Sequence, residues 1–128
     1  MKDEIFPRTA KLRNSSEFRI VYEKGARYDG RLITAFVRRN GCGNHRLGIT
    51  ASRKVASRAV ERNRVKRLLR ETFRLSGENL RATQANYDWV LNAKRSLLQV
   101  KLAAALEDFR GIIARLLRDE LAAAEVER

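Results

Sequence analysis

Residues 46–74 read RLGITASRKVASRAVERNRVKRLLRETFR, and this stretch contributes most to the interpretation of the chain. Its first residues alternate as in a β-strand, and the later ones place apolar residues at helical spacing. Ten of its side chains are Arg or Lys and two are Glu, a net +8 of the chain's formal +13. Crowded like charges weaken a compact state, so folding alone does not explain this concentration. The stretch therefore predicts a strand and a helix that present a surface to a polyanion.

The helix of this stretch, with Ser57 as its predicted N-cap, divides into two faces. One face collects residues expected to pack: Val65, Leu68, Leu69 and Thr72, flanked by Val60 and Phe73. The opposite face collects residues expected to bind: Asn63, Arg67, Arg70 and Arg74, with Lys66 beside them and Arg62 and Arg64 on the borders. Solvated helices usually interleave acidic partners four residues away, and these are nearly absent here. Binding is therefore favoured over solvation, and the excess of Arg suits phosphate oxygens.

Length and composition limit the class of protein. The 128 residues, 44% hydrophobic and 34% charged, fit one folded domain over residues 1–128. The net charge is typical of a nucleic-acid binder, although a membrane-surface protein would share it. No apolar run approaches the roughly 18 residues of a membrane span, and the N-terminus lacks the apolar segment of a secretory signal. A single cysteine suits a reducing compartment, so we expect a cytoplasmic protein without a membrane partner.

Upstream of the basic helix, the pattern predicts a helix followed by two strands. Residues 1–13 are interpreted as an extended or mobile arm, and Asn14 with Glu17 resembles a capping box for a helix over residues 15–24. Gly25 is expected to close that helix in the left-handed conformation. Strands are predicted at 31–38 and 45–51, and the glycine-containing turn between them favours an antiparallel hairpin. A further short strand around 26–29 has little signal.

Downstream, Ser76-Gly77 is predicted to end the basic helix, and residues 78–86 are ambiguous between a helical turn and a loop. Residues 87–93 read as a mostly buried strand, in which Asn92 needs a hydrogen-bond partner if buried. Ser96 with Gln99 resembles a capping box for a long helix. Its apolar residues are Leu98, Leu102, Leu106, Phe109, Ile113, Leu116 and Leu117. The order indicates an α+β or α/β sandwich whose small sheet is covered mainly on one face.

Candidate sites outside the basic helix are few. Phe18 and Tyr22 lie four residues apart on one face of the first helix, and Phe36 lies on the first of the two predicted strands; core packing and stacking of unpaired RNA bases are both open to them. Cys42 and His45 flank the glycine-rich turn without further ligands at metal-site spacing, so neither a zinc site nor a Cys–His nucleophile is expected. Paired carboxylates and phosphate-binding glycine loops are also missing from the sequence. These patterns favour binding over protein-borne catalysis.

Arg62-Asn63-Arg64 and the residues around it resemble the RNR signature of the bacterial ribonuclease P protein subunit. The flanking matches are Ser52-Arg53-Lys54, Ala59-Val60, Lys66, Arg67 and Arg70, and the likeness extends to residues 12–18, 46–48 and 88–94. The resemblance implies an α+β, two-layer α/β sandwich of order αβββαβα, similar to a ribosomal-protein domain with a left-handed crossover. In one departure, Ala56-Ser57-Arg58 stands where the family usually has a glycine, so a left-handed backbone is less easily adopted there.

The resemblance also implies a division of labour between protein and RNA. An RNA subunit, with Mg²⁺ held mainly by RNA, would cut precursor tRNA at the 5′ end of the mature sequence, and the protein would supply neither catalytic residues nor a metal site of its own. Residues expected to bind the RNA subunit are Arg46, Arg53, Lys54, Arg62, Asn63, Arg64, Lys66, Arg67, Arg70 and Arg74. Residues expected to bind the single-stranded 5′ leader of precursor tRNA are Phe18, Tyr22 and Phe36.

Three other functions are alternatives to this one. A ribosomal-type RNA-binding protein would share fold and charge but have no processing role. A protein-only nuclease is disfavoured because the sequence lacks a carboxylate or histidine cluster. A DNA-binding role is not expected because no helix-turn-helix spacing is evident.

Overall fold

The structure, a computed structural model, describes residues 11–126. Within this range four strands form one sheet, and helices pack on both of its faces. The elements in chain order are α1 (Ser15–Lys24), β1 (Ala26–Asp29), β2 (Ile33–Arg39), β3 (Arg46–Thr50), α2 (Ala59–Leu75), α3 (Gly77–Arg81), β4 (Tyr87–Ala93), a 3₁₀ turn (Arg95–Gln99) and α4 (Leu102–Val126). The predicted α+β sandwich is confirmed, with α3 and the 3₁₀ turn as additions to the predicted order.

The first helix begins as its sequence predicts. The Asn14 side chain accepts from the Glu17 N–H at 3.0 Å, and Glu17 Oε1 accepts from the Asn14 N–H at 3.2 Å. The expected left-handed closure at Gly25 is wrong, because this residue is extended at φ −84°. Glycine is needed at this position because the backbone packs closely against Val21 and Val37. A Cβ there would lie 2.5 Å from the carbonyl oxygen of Val21 and 2.8 Å from that of Val37.

The sheet has the order β1-β2-β4-β3, so the predicted hairpin between β2 and β3 is wrong. β4 lies between them, antiparallel to β2 and parallel to β3. The weakly indicated strand at Ala26–Asp29 is real and pairs with β2 as the edge strand β1. A short glycine-containing connection favours a hairpin only when neither strand has a better partner. Here both strands pair with β4, which supplies apolar side chains to both faces of the sheet.

The main hydrophobic core lies between one face of the sheet and the helices α2 and α4. Trp89 of β4 is fully buried at its centre, with its ring centroid 5.4 Å from that of Phe109 and 6.2 Å from that of Phe73. A smaller cluster on the opposite face joins α1 to the sheet through Val21 and Val90, which are also fully buried. Each buried side chain of this size contributes about 1.5–3 kcal/mol to folding. Coverage is therefore two-sided, although the second cluster is small.

The chain after β4 departs from the prediction. Ser96 does not cap a long helix; its hydroxyl donates to the carbonyl oxygen of Arg31 at 3.0 Å. Residues 95–99 form a 3₁₀ turn that buries Leu97, and Val100 is extended at φ −109° and ψ 160°. Because these contacts fix the segment against the sheet, α4 begins only at Leu102. Leu98, predicted as the first apolar residue of the helix, lies before it.

The last part of the predicted extended or mobile arm over residues 1–13 is extended and bonded to the sheet. Lys11 forms a parallel bridge with Leu47, and the Leu12 N–H donates to the Leu47 carbonyl oxygen at 3.0 Å. Leu12 is also buried against α1. Positions 1–10 of the predicted arm lie outside the described residues. Across residues 11–126, no helix combines the length and apolarity needed to cross a membrane.

His45 precedes β3 and is held neutral by its surroundings. Its Nδ1 accepts from the backbone N–H of Tyr87 and from the indole N–H of Trp89, both at 3.1 Å. The proton of the neutral ring therefore lies on Nε2, which donates to the Leu80 carbonyl oxygen at 3.1 Å. Burial lowers the pKa of His45, because the charged ring would lose its solvation. The residue joins β4 to α3.

Acidification from pH 7.5 to 5 is expected to lower the free energy of unfolding through His45. Its folded-state pKa lies below the unfolded value of about 6.5, so the unfolded chain binds more protons in this window. The stabilisation is present above about pH 6.5 and is lost as the pH falls towards the folded pKa. Urea unfolding at a series of pH values measures the effect.

The variant His45→Gln provides the control, because its side chain does not titrate. It should be less stable than the wild type at pH 7.5, at about 1 kcal/mol per lost hydrogen bond. This difference should shrink as the pH falls. A difference that stays constant between pH 7.5 and 5 would show that His45 does not titrate in the expected direction.

Candidate nucleic-acid interface

The basic helix α2 is entered through a loop that its own first turns hold in place. Its N-cap is Arg58, with no side-chain cap, so the prediction of Ser57 is wrong by one residue. Arg62 Nη1 donates to the carbonyl oxygens of Ala56 at 3.0 Å and Ser57 at 2.9 Å. Positive φ is confined to Gly41 within residues 11–126. The missing glycine at 56–58 therefore imposes no backbone strain, and the loop is closed by a side chain instead.

The inward face of α2 agrees with the helical pattern except at its start. Val65, Leu69, Thr72 and Phe73 are buried, and Leu68 is half-buried against the main core. Val60, predicted to flank this face, is 64% exposed. It lies in the first turn, one residue after the helix begins. The amphipathic division of α2 is otherwise as predicted.

The outward face of α2 carries cations that have no acidic partner among residues 11–126. Asn63, Arg67 and Arg70 are exposed there, and Lys66 is half-buried beside them. Among the described residues no carboxylate forms an ion pair with Arg67, Arg70 or Lys66. Arg64 is also exposed, and its Nη1 donates to the carbonyl oxygen of Leu98 at 2.7 Å. This face retains the hydrogen-bond donors and charge that a phosphate backbone requires.

Two arginines predicted to bind RNA are paired with the protein's own acids. Arg46 donates to both carboxylate oxygens of the buried Asp88 at 2.7 Å and contacts Glu17 at 3.3 Å. The hydrogen bonds to Asp88 raise the pKa of Arg46, so this group stays charged inside the structure. Arg74 forms an ion pair with Glu71 one turn earlier on α2. Arg46 is therefore held by two carboxylates of the fold, and the charge of Arg74 is balanced by Glu71.

The second face of the sheet, which carries α1, has its side chains in three rows across the strands. One row pairs Arg46 with Asp88. The next is apolar and contains Phe36, Val90 and Gly48. The third is polar and contains Asp29, Thr34, Asn92 and Thr50. Because α1 packs against β2 and β4, its aromatic residues lie over these rows.

The three predicted leader-binding residues take two different positions on this face. Tyr22 and Phe36 meet edge to face, with ring centroids 4.8 Å apart, and Tyr22 is 37% exposed. Phe18 packs over Gly48, where an added Cβ would lie 2.5 Å from its ring. It joins the small hydrophobic cluster and is half-buried. Tyr22 and Phe36 form an aromatic pair, which we name the aromatic cleft. Tyr22 is its exposed ring, whereas Phe36, like Phe18, is half-buried against the small hydrophobic cluster.

The third, polar row lies close to the ends of β3 and β4, where the chain leaves β3 towards α2. β3 and β4 are parallel, so Thr50 and Asn92 are register partners close to the ends of their strands. The loop that carries Arg53 and Lys54 leaves the sheet at these ends and leads into α2. Arg95 Nη2, just after β4, donates to the Lys54 carbonyl oxygen at 2.7 Å and steadies the loop. The loop that leads into α2 therefore begins next to the polar row.

A protein-borne metal site is not supported by the donor groups of residues 11–126. No three His, Cys, Asp or Glu side chains gather there in a way that could hold a metal ion. Cys42 is exposed in the turn before β3, and His45 uses both ring nitrogens in internal hydrogen bonds. These residues do not fit a magnesium site, so no chemical step is assigned to metal held by this chain.

Comparison with known proteins agrees with the geometry. The family model for ribonuclease P matches residues 6–117. This chain belongs to the ribonuclease P protein family. Among its relatives, the ribonuclease P protein component of Cronobacter sakazakii is 37% identical over 116 residues, covering 88% of this chain and 94% of that protein. The component from Clostridium botulinum strain Langeland is 42% identical over 87 residues, covering 67% and 75%.

Solved structures of ribonuclease P proteins share the fold. The protein from Thermotoga maritima has a TM-score of 0.72 and 26% identity, covering 82% of this chain and 96% of that one. The Staphylococcus aureus protein has a TM-score of 0.71 and 21% identity, covering 84% and 94%, and shows the fold alone. The predicted ribonuclease P protein subunit is thus confirmed, and the ribosomal-type alternative is not favoured.

Several contributors to this ribonuclease P protein surface were not predicted. Thr34, Thr50 and Asn92 form a polar row beside the aromatic cleft, and Arg95 holds the basic loop. The sequence offered one signal, the polar Asn92 in an otherwise apolar strand. The row itself depends on the pairing of three strands, which no local pattern contains.

Removal of the Arg62 side chain should loosen the loop before α2 in the free protein. Arg62→Ala eliminates two hydrogen bonds to carbonyl oxygens, and a net loss of about 1 kcal/mol corresponds to roughly fivefold faster local opening. Hydrogen–deuterium exchange of the Val55 and Ala56 amides, both bonded to the Ser52 carbonyl oxygen, measures it. Arg58→Ala is the control, because Arg58 is exposed and caps α2 without a side-chain bond. Equal exchange rates in both variants would show that the Arg62 side chain does not hold the loop before α2.

Proposed function

We propose that this protein binds the RNA subunit of ribonuclease P through α2 and the loop before it, and the 5′ leader of precursor tRNA through the aromatic cleft. Membership of the family makes it a protein component of ribonuclease P and places it in tRNA processing together with the enzyme's RNA. The assignment of particular surfaces to particular RNAs is the proposal. The observation that carries it is the outward face of α2, where Arg67 and Arg70 have no acidic partner among the described residues.

The surface proposed for the RNA subunit is the part of the predicted set that forms no ion pair with a carboxylate of residues 11–126. Its members are Arg53, Lys54, Arg62, Asn63, Arg64, Lys66, Arg67 and Arg70. Arg62 and Arg64 already donate to backbone carbonyl oxygens, and a guanidinium group has further N–H donors to offer to phosphates. These bonds fix the direction of each side chain before RNA arrives. A prepositioned side chain loses less conformational entropy on binding than a free one.

The aromatic cleft suits the single-stranded leader. Unpaired bases are held by stacking on aromatic rings, and Tyr22 offers an exposed ring braced edge to face by Phe36. Arg27 lies over the Phe36 ring at 5.8 Å, which adds positive charge at the rim. Precursor tRNA has a leader and mature tRNA has none. Leader binding therefore favours the substrate over the product without contact at the cleavage site.

The chemistry is assigned to the RNA subunit. Magnesium ions held mainly by RNA would supply the nucleophile and stabilise the developing charge when bound there. The protein's residues would neutralise phosphates that otherwise repel one another and would retain the leader. Cleavage of precursor tRNA by the RNA with and without this protein, at near-physiological salt and fixed magnesium, tests this division. Cleavage by the protein free of RNA would instead support a protein-only nuclease.

Arg67→Ala and Arg70→Ala should each weaken binding to the RNA subunit and reduce its salt dependence. Removing one Arg–phosphate interaction should lower the slope of log affinity against log salt by about one unit. Titrations at several salt concentrations measure the slope. Arg118→Ala, which removes the same charge from an exposed position on α4, is the matched control. Equal slopes for wild type, control and both α2 variants would contradict the assignment of α2.

Tyr22→Ala should weaken the binding of precursor tRNA to the assembled enzyme and leave mature tRNA binding unchanged. Loss of one stacked base costs about 1–3 kcal/mol. Ile20→Ala is the control, because Ile20 is 41% exposed on the same helix. Phe18→Ala is a weaker test, since the half-buried ring also packs over Gly48. Equal losses for precursor and mature tRNA in Tyr22→Ala would indicate a packing role for Tyr22.

A further inference from the structure

The polar row beside the aromatic cleft contains one amide that is oriented by the protein yet incompletely used. Asn92 lies in this row between its register partners Thr34 on β2 and Thr50 on β3. Its Oδ1 accepts from the Tyr22 hydroxyl at 3.0 Å and from the Thr50 hydroxyl at 2.7 Å. Two donors on one oxygen fix the orientation of the amide. Its other end, Nδ2, carries two N–H groups.

Nδ2 of Asn92 has no hydrogen-bond partner among the atoms of residues 11–126. The side chain is half-buried, and no fully buried side-chain nitrogen or oxygen among residues 11–126 lacks a partner, so this donor reaches solvent. An accessible donor normally bonds to water, and a ligand can replace that water when it supplies an acceptor of its own.

The other polar members of the row are satisfied within the protein. The Thr34 hydroxyl donates to Asp29 Oδ1 at 2.8 Å, and the same oxygen pairs with Lys94 Nζ at 2.8 Å. The hydrogen bond from Lys94 is the main cause that lowers the pKa of Asp29, which stays ionised. Asn92 thus differs from Asp29 and Thr34. Its Oδ1 accepts the hydrogen bond from Tyr22, and its Nδ2 remains an unbonded donor within residues 11–126.

We propose that Asn92 reads a leader nucleotide, donating from Nδ2 to a carbonyl oxygen or ring nitrogen of the base that stacks on Tyr22. The inference rests on the proposed function, since it requires the leader to lie in the aromatic cleft. Stacking accepts every base, because each has a π-face. A fixed donor beside the ring adds a preference for bases that present an acceptor at that edge. Asn92 thereby supplies specificity that the aromatic pair lacks.

The hydrogen bond from the Tyr22 hydroxyl to Asn92 also explains why a tyrosine is suited to this position. The hydroxyl holds Asn92 Oδ1, so Nδ2 is bonded to neither Tyr22 nor Thr50. The ring that stacks the base and the amide that reads it are thereby linked by a direct hydrogen bond. Their relative position is set before the leader binds, which reduces the entropic cost of recognition.

The test uses the complete enzyme, protein with its RNA subunit, and precursor tRNAs whose leader is made abasic at one position at a time. Asn92→Leu keeps the approximate volume but removes the donor. We expect about tenfold weaker binding of the unmodified precursor, the scale of one hydrogen bond left unmade, and no change for mature tRNA. At one leader position the abasic substitution should abolish this difference between variant and wild type. Thermal unfolding checks that the variant folds.

A phosphate contact and a purely structural role predict different results. If Nδ2 bonded a phosphate, the difference would persist at every abasic position and vanish with a neutral methylphosphonate linkage, which would overturn base reading. If Asn92 only held Tyr22, Tyr22→Phe would weaken binding as much as Asn92→Leu, and the double variant would lose nothing more. The proposal expects a smaller loss for Tyr22→Phe and a further severalfold loss in the double variant. Asn86→Leu, which removes an amide just before the other end of β4, is the matched control and should bind normally.

The outcome separates this inference from the function on which it rests. Wild-type enzyme that binds precursor and mature tRNA equally well would contradict leader binding itself. Wild-type enzyme that prefers the precursor, combined with an Asn92→Leu variant of full affinity, would overturn only the role of Asn92.

Discussion

β4 is buried on both of its faces, and the need to cover both faces determines how the other elements are arranged. Trp89 and Leu91 face the main core, while Val90 on the opposite side packs under α1, and all three are inaccessible to solvent. A strand with apolar side chains on both faces is stable only in the interior of a sheet with both faces covered. β4 therefore separates β2 from β3, and β3 pairs with it in parallel. A parallel pair needs a long crossover, which α2 and α3 provide.

The crossover determines where the positive charge is displayed. α2 packs its apolar side against the sheet and α4, so its arginine-rich side faces outward. The chain has 15 acidic residues against 28 basic ones, and several of the acids have internal tasks. Asp88 holds Arg46, and Asp108 accepts three backbone N–H groups from residues 31–33. Acids occupied in this way cannot neutralise α2. The excess charge lies mainly in residues 46–74, which hold ten basic and two acidic side chains.

Arginines of similar sequence context consequently perform different tasks. Arg46 is bound to a buried carboxylate, where loss of one partner would leave an uncompensated charge. Arg62 and Arg64 use part of their donor capacity on carbonyl oxygens of neighbouring segments. Arg67 and Arg70 point to solvent. Charge alone does not separate these groups. The separation follows from which acid or carbonyl group the fold brings within reach.

The sequence by itself determined the local elements and the family. The capping box of α1, the apolar side of α2 and the span of β4 follow from interactions between residues at most four positions apart, which a linear pattern contains. The RNR block led to the ribonuclease P protein family. Tertiary structure alone decided the partners of β2 and β3, the start of α4, the pairing of Arg46 with Asp88 and the polar row around Asn92. Each of these depends on contacts between residues far apart in the chain. Which of these contacts form depends on which segments pair with β4, and the spacing of residues within one segment does not specify that pairing.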